Sequence, residues 1–228
     1  MAKLYVSNED ATVRIFKSDF LEWFSHVHPA VPHVIYIPVI VYMLYSSYIH
    51  GMDVLRIGVL FVAGMLLWSL IEYCVHRFVF HTTLDVELEV REIVLGLKPG
   101  EAAFSKLTTL RQKQYFLSHG VHHDFPNDSK RLVMPPSVSI PLAVLFYAAF
   151  RLLLGTGDGS ALFAGFTLAY LVYDTIHYAV HHFRLHGRIT LYLKKMHFRH
   201  HYQDSRKDFG VSNPLWDKVL GTVGGTPR

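Results

Sequence analysis

The sequence predicts an all-α integral membrane protein in which four transmembrane helices form two hairpins beneath a cytosolic helical cap. Three observations predict it. The 228-residue chain carries four long apolar stretches, nearly all of its 22 lysines and arginines fall on one side of them, and eleven of its 16 histidines cluster on that same side. Composition agrees: the chain is 51% hydrophobic and 18% charged, with a positive mean hydropathy, a balance that suits a bilayer better than water.

In chain order, the N-terminus MAKLYVSNEDATVRIFKSDF lacks the basic-then-apolar order of a cleaved signal peptide. Residues 1–30 are therefore expected to form a cytosolic or interfacial segment. The apolar stretches run from Val34 to Ile49, Val54 to Val75, Val138 to Leu154 and Ala161 to Val180. A bilayer core requires about 20 helical residues, with a usual range of ~17–25. The first and third stretches are marginal at their ends, and the first contains Pro38. One such stretch fits a buried helix of a soluble protein equally well, but a chain this short could hardly hide four. Only Gly51-Met52-Asp53 separates the first two, and a glycine-rich turn from Gly155 to Ser160 separates the last two. Each pair reads as a tight hairpin, over 31–75 and 136–180.

Of the 22 basic residues only Arg56 and Arg151 lie near the hairpin turns; the remaining 20 sit in the N-terminal segment, the 76–135 connection and the 181–228 tail. The positive-inside rule makes that side cytosolic, in a bacterial inner membrane or the endoplasmic reticulum. The net charge of +4 follows from this topology and from attraction to lipid surfaces, and no motif supports nucleic-acid binding. The single cysteine, Cys74, excludes an internal disulfide. With no linker, repeat or heptad pattern, residues 1–228 read as a single domain.

The histidines form four clusters: His76-x4-His81, His119-x2-His122-His123, His177-x3-His181-His182 and His197-x2-His200-His201. Imidazole is the commonest metal-donating side chain, and a zinc site uses about three or four protein ligands. Ten or eleven imidazoles exceed one ion's needs, so the count points to a di-metal centre in the cap. Solvated surface histidines, a pH-sensing patch, or one metal plus structural histidines are the alternatives. Residues three and four apart share a helix face, so His119, His122 and His123 are expected to converge, as are His197, His200 and His201, and His177 with His181. His76 and His81 are five apart, about 140° around a regular helix, which places His81 at a helix end or in irregular backbone. No cysteine lies among the clusters, which excludes thiolate zinc and iron–sulfur sites; iron, zinc and copper stay open. Glu72 and Asp174, close before His76 and His177, are candidates to orient imidazoles by accepting the other ring proton, or are helix-end carboxylates reaching water.

The longer strings carry a family resemblance. Trp68-SLIEYCVHRFVF-His81, His119-GVHHDFPNDSKRLVMP-Pro136, Tyr173-DTIHYAVH-His182 and the run from Lys194 to Thr222 resemble the fatty acid hydroxylase family, in particular its fatty acid 2-hydroxylase branch. The segment from Phe16 to Phe24 resembles the lead-in to that family's first membrane helix. Arg131-Leu-Val-Met-Pro-Pro136 and Gly210-Val-Ser-Asn-Pro-Leu-Trp-Asp217 narrow the resemblance to the branch. It implies a non-haem di-iron centre that uses O2 to hydroxylate C2 of a fatty acyl chain, free or sphingolipid-linked. By position, the implied ligands are His76, His81, His119, His122, His123, His177, His181, His197, His200 and His201. His182 stands next to the pattern and outside it.

Two departures from the family pattern stand out. Many relatives carry an N-terminal haem-binding electron donor with a His-Pro-Gly-Gly motif, whereas this chain has His28-Pro29-Ala30-Val31. The expected donor is therefore a separate protein, cytochrome b5-like or ferredoxin-type. Segment 82–118 also reads as an insertion, with acidic residues Asp85, Glu87, Glu89 and Glu92 and the run Lys98-Pro99-Gly100-Glu101. It is an amphipathic or interfacial element, a lid, a donor-docking surface, or plain solvated charge. Other readings keep the metal cage but act on a sterol, an isoprenoid or a lipid head group, or make the chain a non-catalytic membrane metal-binding protein.

Overall fold

A computed structural model describes residues 4–10, 13–81 and 83–225, and every regular element among them is helical. A short α1 (Asp19–Phe24) precedes α2 (Val31–Ile49) and α3 (Val54–Val75), which continues through a π turn at His76–Phe80. The cap then adds α4 (Leu84–Leu95), a 3₁₀ turn at Ala103–Ser105, α5 (Leu110–Tyr115), a second π turn at Phe116–Gly120 and α6 (Val121–Asp124). The chain returns through α7 (Pro136–Leu154) and α8 (Thr156–His182), and ends in α9 (Arg188–Tyr202) and α10 (Leu215–Val219). Four helices, Val31–Ile49, Val54–Phe80, Pro136–Leu154 and Thr156–His182, are long and apolar enough to cross a membrane.

Their limits follow local chemistry. Helices α2 and α7 begin earlier than their apolar stretches because Pro32 and Pro136 sit in first turns, where a missing N–H costs nothing. Asp53 caps α3 by accepting the Arg56 amide at 2.9 Å. The expected 155–160 turn contracts to Gly155, whose φ of 83° suits a residue without Cβ. Residues 156–160 are already the first turns of α8. There Gly159 lets α8 touch α7, since a Cβ on it would stand 2.9 Å from Arg151 N and from Phe150 C and O.

Packing is organised around α8, and the first hairpin is held by α8 rather than by its own two helices. Helices α2, α3 and α7 each lie along α8, whereas α2 and α3 touch each other little. Two glycines explain the closest approach: a Cβ on Gly64 would run into the Leu162 carbonyl, and one on Gly165 into the Phe61 carbonyl. Without a hydrophobic drive between helices in lipid, such small residues let backbones meet and gain dispersion contact. Tyr36, Phe166, Tyr170 and Tyr173 join the core on the cage side of this crossing, and Phe163 is level with it.

The cap has its own core of Ile15, Val90, Val94, Ala103, Leu107, Tyr115, Phe116, Val121 and Phe125. Segment 83–118 builds most of it, so this stretch supports the helix bearing His119, His122 and His123; Thr82, at its start, lies outside the described residues. The N-terminal strand of chain is tied to the same place, with Val6 N and Ser7 N both donating to the Asp124 carbonyl.

Candidate metal centre

The first cluster shows how backbone geometry serves the site. In the π turn His81 N donates to the His76 carbonyl, five residues back, at 3.3 Å, and His81 then leaves in extended conformation (φ −91°, ψ 140°). That irregularity brings both rings to one point, as the spacing required. His177 and His182 are also five apart, but α8 runs regularly through both. His182 accordingly turns away, half-buried, and stacks on Tyr178 with ring centroids 4.4 Å apart. The second π turn, at Phe116–Gly120, was not foreseeable from the histidine spacing.

Ten histidines, all buried, assemble into two groups of five. His76, His81, His119, His123 and His200 form the first; His122, His177, His181, His197 and His201 form the second. Within each group one ring nitrogen per residue lies within 4.8 Å of the others. The expected convergence of whole clusters is therefore corrected. His119 and His123 go to the first group while His122 goes to the second, and His197 and His201 go to the second while His200 goes to the first. Adjacent helical residues point about 100° apart, so an H-x-x-H-H triplet cannot aim at one ion. It straddles two, which is how the groups come to share α6 and α9. His123 and His201 stack between them at 4.1 Å and 12°.

The nitrogen contacts fit metal ions. Four Nε2–Nε2 pairs stand at 3.0 Å (His76–His119), 2.9 Å (His81–His200), 2.9 Å (His122–His177) and 2.8 Å (His181–His197). Two nitrogens at right angles, each ~2.0–2.1 Å from one ion, are about 2.9 Å apart. The Nδ1 of His200 donates to the Lys207 carbonyl at 2.7 Å, and that of His81 faces the Glu87 carboxylate at 2.9 Å. Their Nε2 lone pairs then face each other, an arrangement that is favourable only around a cation. Burial, reinforced by neighbouring imidazoles, pushes His119, His122, His123, His197, His200 and His201 well below the usual imidazole range. They stay neutral and keep a lone pair for metal. The donor set, all nitrogen, suits iron, zinc or copper.

The imidazole-orienting groups are not the two anticipated. Glu72 Oε1 accepts the Val211 and Ser212 amides at 2.8 Å, and its Oε2 accepts the Ser212 hydroxyl. Asp174 faces Tyr170 and the Met134 backbone. Both are buried and each sits about one turn before its histidine, but Glu72 is taken up by the Val211–Ser212 backbone and hydroxyl packed beside it, and Asp174 faces Tyr170 one turn back on its own helix and the Met134 backbone. The partners that do touch rings are Glu87 on His81, the Lys207 carbonyl on His200 and the Phe209 carbonyl on His76 Nδ1. Asp85, Glu89 and Glu92 are exposed as solvated charge should be, but Glu87 of the same run is buried at 4% exposure. The loop holding the two carbonyls is gripped by carboxylates: Asp208 forks with Arg199 at 2.7 and 2.8 Å, and Asp217 accepts Phe209 N and Gly210 N at 2.9 and 2.7 Å. The Gly210–Asp217 string was the sequence signal for this loop. Gly210 leaves no space for a Cβ against the Asn213 carbonyl and Asp217, Ser212 and Asp217 are the bonded partners, and Trp216 Nε1 donates to Ser69 Oγ at 3.0 Å.

Next to the cage, between α3, α7 and α8, lies an apolar cavity of about 170 Å³. Its upper wall is Val75, Phe80 and Tyr173. Phe80 stacks on His119 with centroids 5.1 Å apart, and Tyr173 stands 5.6 Å from His177. One layer of side chains separates the cavity from the histidines.

Fold and site together define a multi-pass membrane protein whose histidine cage is compatible with two metal ions beside an apolar cavity. The family model described as fatty acid hydroxylase matches residues 61–222, and the chain belongs to that family. It is 33% identical over 213 residues to the dihydroceramide fatty acyl 2-hydroxylase FAH2 of Arabidopsis thaliana, covering 93% of this chain and 80% of the relative. It is 33% identical to the fatty acid 2-hydroxylase of Rattus norvegicus, covering 92% of this chain and 56% of that protein. Among solved structures, full-length scs7p, in which only the hydroxylase domain is visible, superposes with a TM-score of 0.74 at 35% identity, covering 91% of this chain and 70% of the other.

Proposed function

We propose that this chain, as a single domain, hydroxylates C2 of a fatty acyl chain, free or carried on a ceramide-type lipid, with O2 as co-substrate. The ten histidines of the two groups would hold two iron ions, His182 would hold none, and zinc would also occupy the site in purified protein. The observation that carries the reading is the juxtaposition of the two five-imidazole groups with an apolar cavity one side-chain layer away. The relatives, named for 2-hydroxylation of fatty acyl chains, supply the position of attack.

Bound iron supplies the redox chemistry that inserts one oxygen atom into a C–H bond. The chain's residues do the rest. The apolar walls take the methylene tail out of water, and Phe80 and Tyr173 hold its reacting end beside His119 and His177. Buried imidazoles keep the reacting region dry. The balance breaks the C2–H bond, forms C2–OH and releases the second oxygen as water, with two electrons and two protons from a separate donor protein of cytochrome b5 or ferredoxin type. The basic side, which carries the cage, would face the cytosol of a bacterium or a eukaryotic cell.

Expression in a host that lacks 2-hydroxylated lipids tests this. Appearance of 2-hydroxy fatty acids after hydrolysis of the lipid extract is the expected result. An unchanged 2-hydroxy fraction with another lipid newly hydroxylated, such as a sterol, would overturn the substrate; no new hydroxylated lipid with metal still bound would favour metal binding without catalysis.

A further inference from the structure

The cavity has a floor, and its depth is built into the crossing of α3 and α8. On α3 the lining residues Trp68, Ile71, Glu72 and Val75 follow helical spacing and share a face. One turn below them the two helices touch backbone to backbone at Gly64 and Gly165, so no gap between them continues past that level. Twelve residues separate Gly64 from His76 on α3, and twelve separate Gly165 from His177 on α8. At 1.5 Å per residue, both helices place the crossing about 18 Å from the cage.

Aromatic rings close the lower end. Phe146 of α7 packs on Phe166 of α8 at 4.8 Å, and Phe163 and Phe166 both back onto Phe150. Phe163 and Phe166 are buried at 3% and 4% exposure, so one side of each ring is backed by its neighbours while the other faces the cavity.

We propose that this floor of Phe146, Phe163 and Phe166 is a ruler that limits the length of acyl chain the protein accepts. The inference rests on the proposed reading of the cavity as the acyl site. Attack at C2 keeps the head group at the cage and sends the rest of the tail down the cavity. A tail that outgrows the space must push the rings off their neighbours or lift C2 away from the histidines. Length is therefore read at the floor while the site of attack is read at the head.

The test uses the full-length protein in a host lacking 2-hydroxylated lipids, fed saturated acids from myristic to lignoceric. Phe163→Ala deepens the floor; Ala143→Phe, on a cavity-lining residue one turn from Phe146, shortens the space from another helix and covers the case in which the first variant fails to fold. The readout is the ratio of 2-hydroxy lignoceroyl to 2-hydroxy palmitoyl product. Phe163→Ala should raise it, and Ala143→Phe lower it, by about tenfold, the scale on which apolar pockets resolve small differences in size. The lengths of acyl lipids retained by the purified proteins should move the same way, independently of turnover. Equal handling of both chain lengths by the wild type, or an unmoved ratio in both variants, overturns the ruler. Absence of any 2-hydroxy product from the wild type overturns the proposed reaction instead, and retained lipid lengths then decide the ruler alone.

Discussion

The two histidine groups have the same number of rings and the same spacing of Nε2 atoms, but their outer nitrogens are treated differently. In the first group His76, His81 and His200 each turn Nδ1 to an acceptor: the Phe209 carbonyl, the Glu87 carboxylate and the Lys207 carbonyl. In the second, Nδ1 of His177, His181, His197 and His201 is buried without a hydrogen-bond partner among the described residues. Three of the first group's five rings thus have a fixed tautomer and orientation, while the second group relies on packing against its own neighbours. Such outer partners typically contribute about 10–100-fold to metal affinity. The lesson is that ten like imidazoles can be built into one stiffer group and one softer group.

The largest expected effect removes the rings that join the groups. His123→Ala or His201→Ala takes one ring from the stacked pair, each from a different proposed ion. Turnover should fall by more than about 100-fold, with the protein still extracted as a folded, monodisperse species. Metal content by mass spectrometry should drop by close to one ion per chain. Wild-type-like activity in either variant would contradict the division into two groups.

Chelation reads the asymmetry directly. Titration with a graded series of chelators should strip the two proposed ions in separate steps, with apparent affinities about 10–100-fold apart. Repeating the titration in His122→Ala, which touches only the second group, should abolish the earlier step and keep the later one. A single step in the wild type would show that the outer acceptors do not distinguish the sites.

Glu87 then sharpens the comparison, because its loss should make the stiff group resemble the soft one. Its Oε1 faces His81 and its Oε2 accepts the Ser205 hydroxyl at 3.0 Å. Glu87→Ala should bring the later chelation step toward the earlier one by about tenfold or more. Glu87→Gln, whose amide oxygen can still accept from Nδ1, should recover part of that shift. Equal steps in wild type and Glu87→Ala would leave Glu87 a packing residue only.

What the sequence made legible is what periodicity and helix length control. The limits of α3 were read to the residue, the other membrane helices to within a few residues, and the irregular backbone at His81 followed from a five-residue step that no α-helix can align. What it hid depends on direction and on tertiary contact. Shared-face reasoning joined His119, His122 and His123, although their 100° divergence was already implicit in consecutive His122 and His123. Glu87 was masked by Asp85, Glu89 and Glu92, since a run of acids reads as a solvated face until one member is seen to point inward. The two carbonyl acceptors carry no side-chain signature at all. Glu72 and Asp174 looked like imidazole partners by proximity in sequence, but one helical turn also places a residue against whatever packs on that face, here the 209–213 loop and Tyr170.

The smallest effect concerns that loop. Glu72 accepts three bonds from Val211 and Ser212, and the next residue back, Gly210, follows the Phe209 carbonyl that orients His76. Ser212→Ala removes the hydroxyl bond and keeps both amide bonds, so the loop should hold its place at a cost of about 1–3 kcal/mol, the range for leaving one buried hydrogen-bonding group without its partner. Thermal unfolding should fall by a few degrees, while the later chelation step shifts less than in Glu87→Ala, because the carbonyl on His76 is still gripped through Asp217. A shift as large as that of Glu87→Ala would mean that Glu72 acts on the stiff group through the loop, and would move it from anchor of the fold to part of the metal site's support.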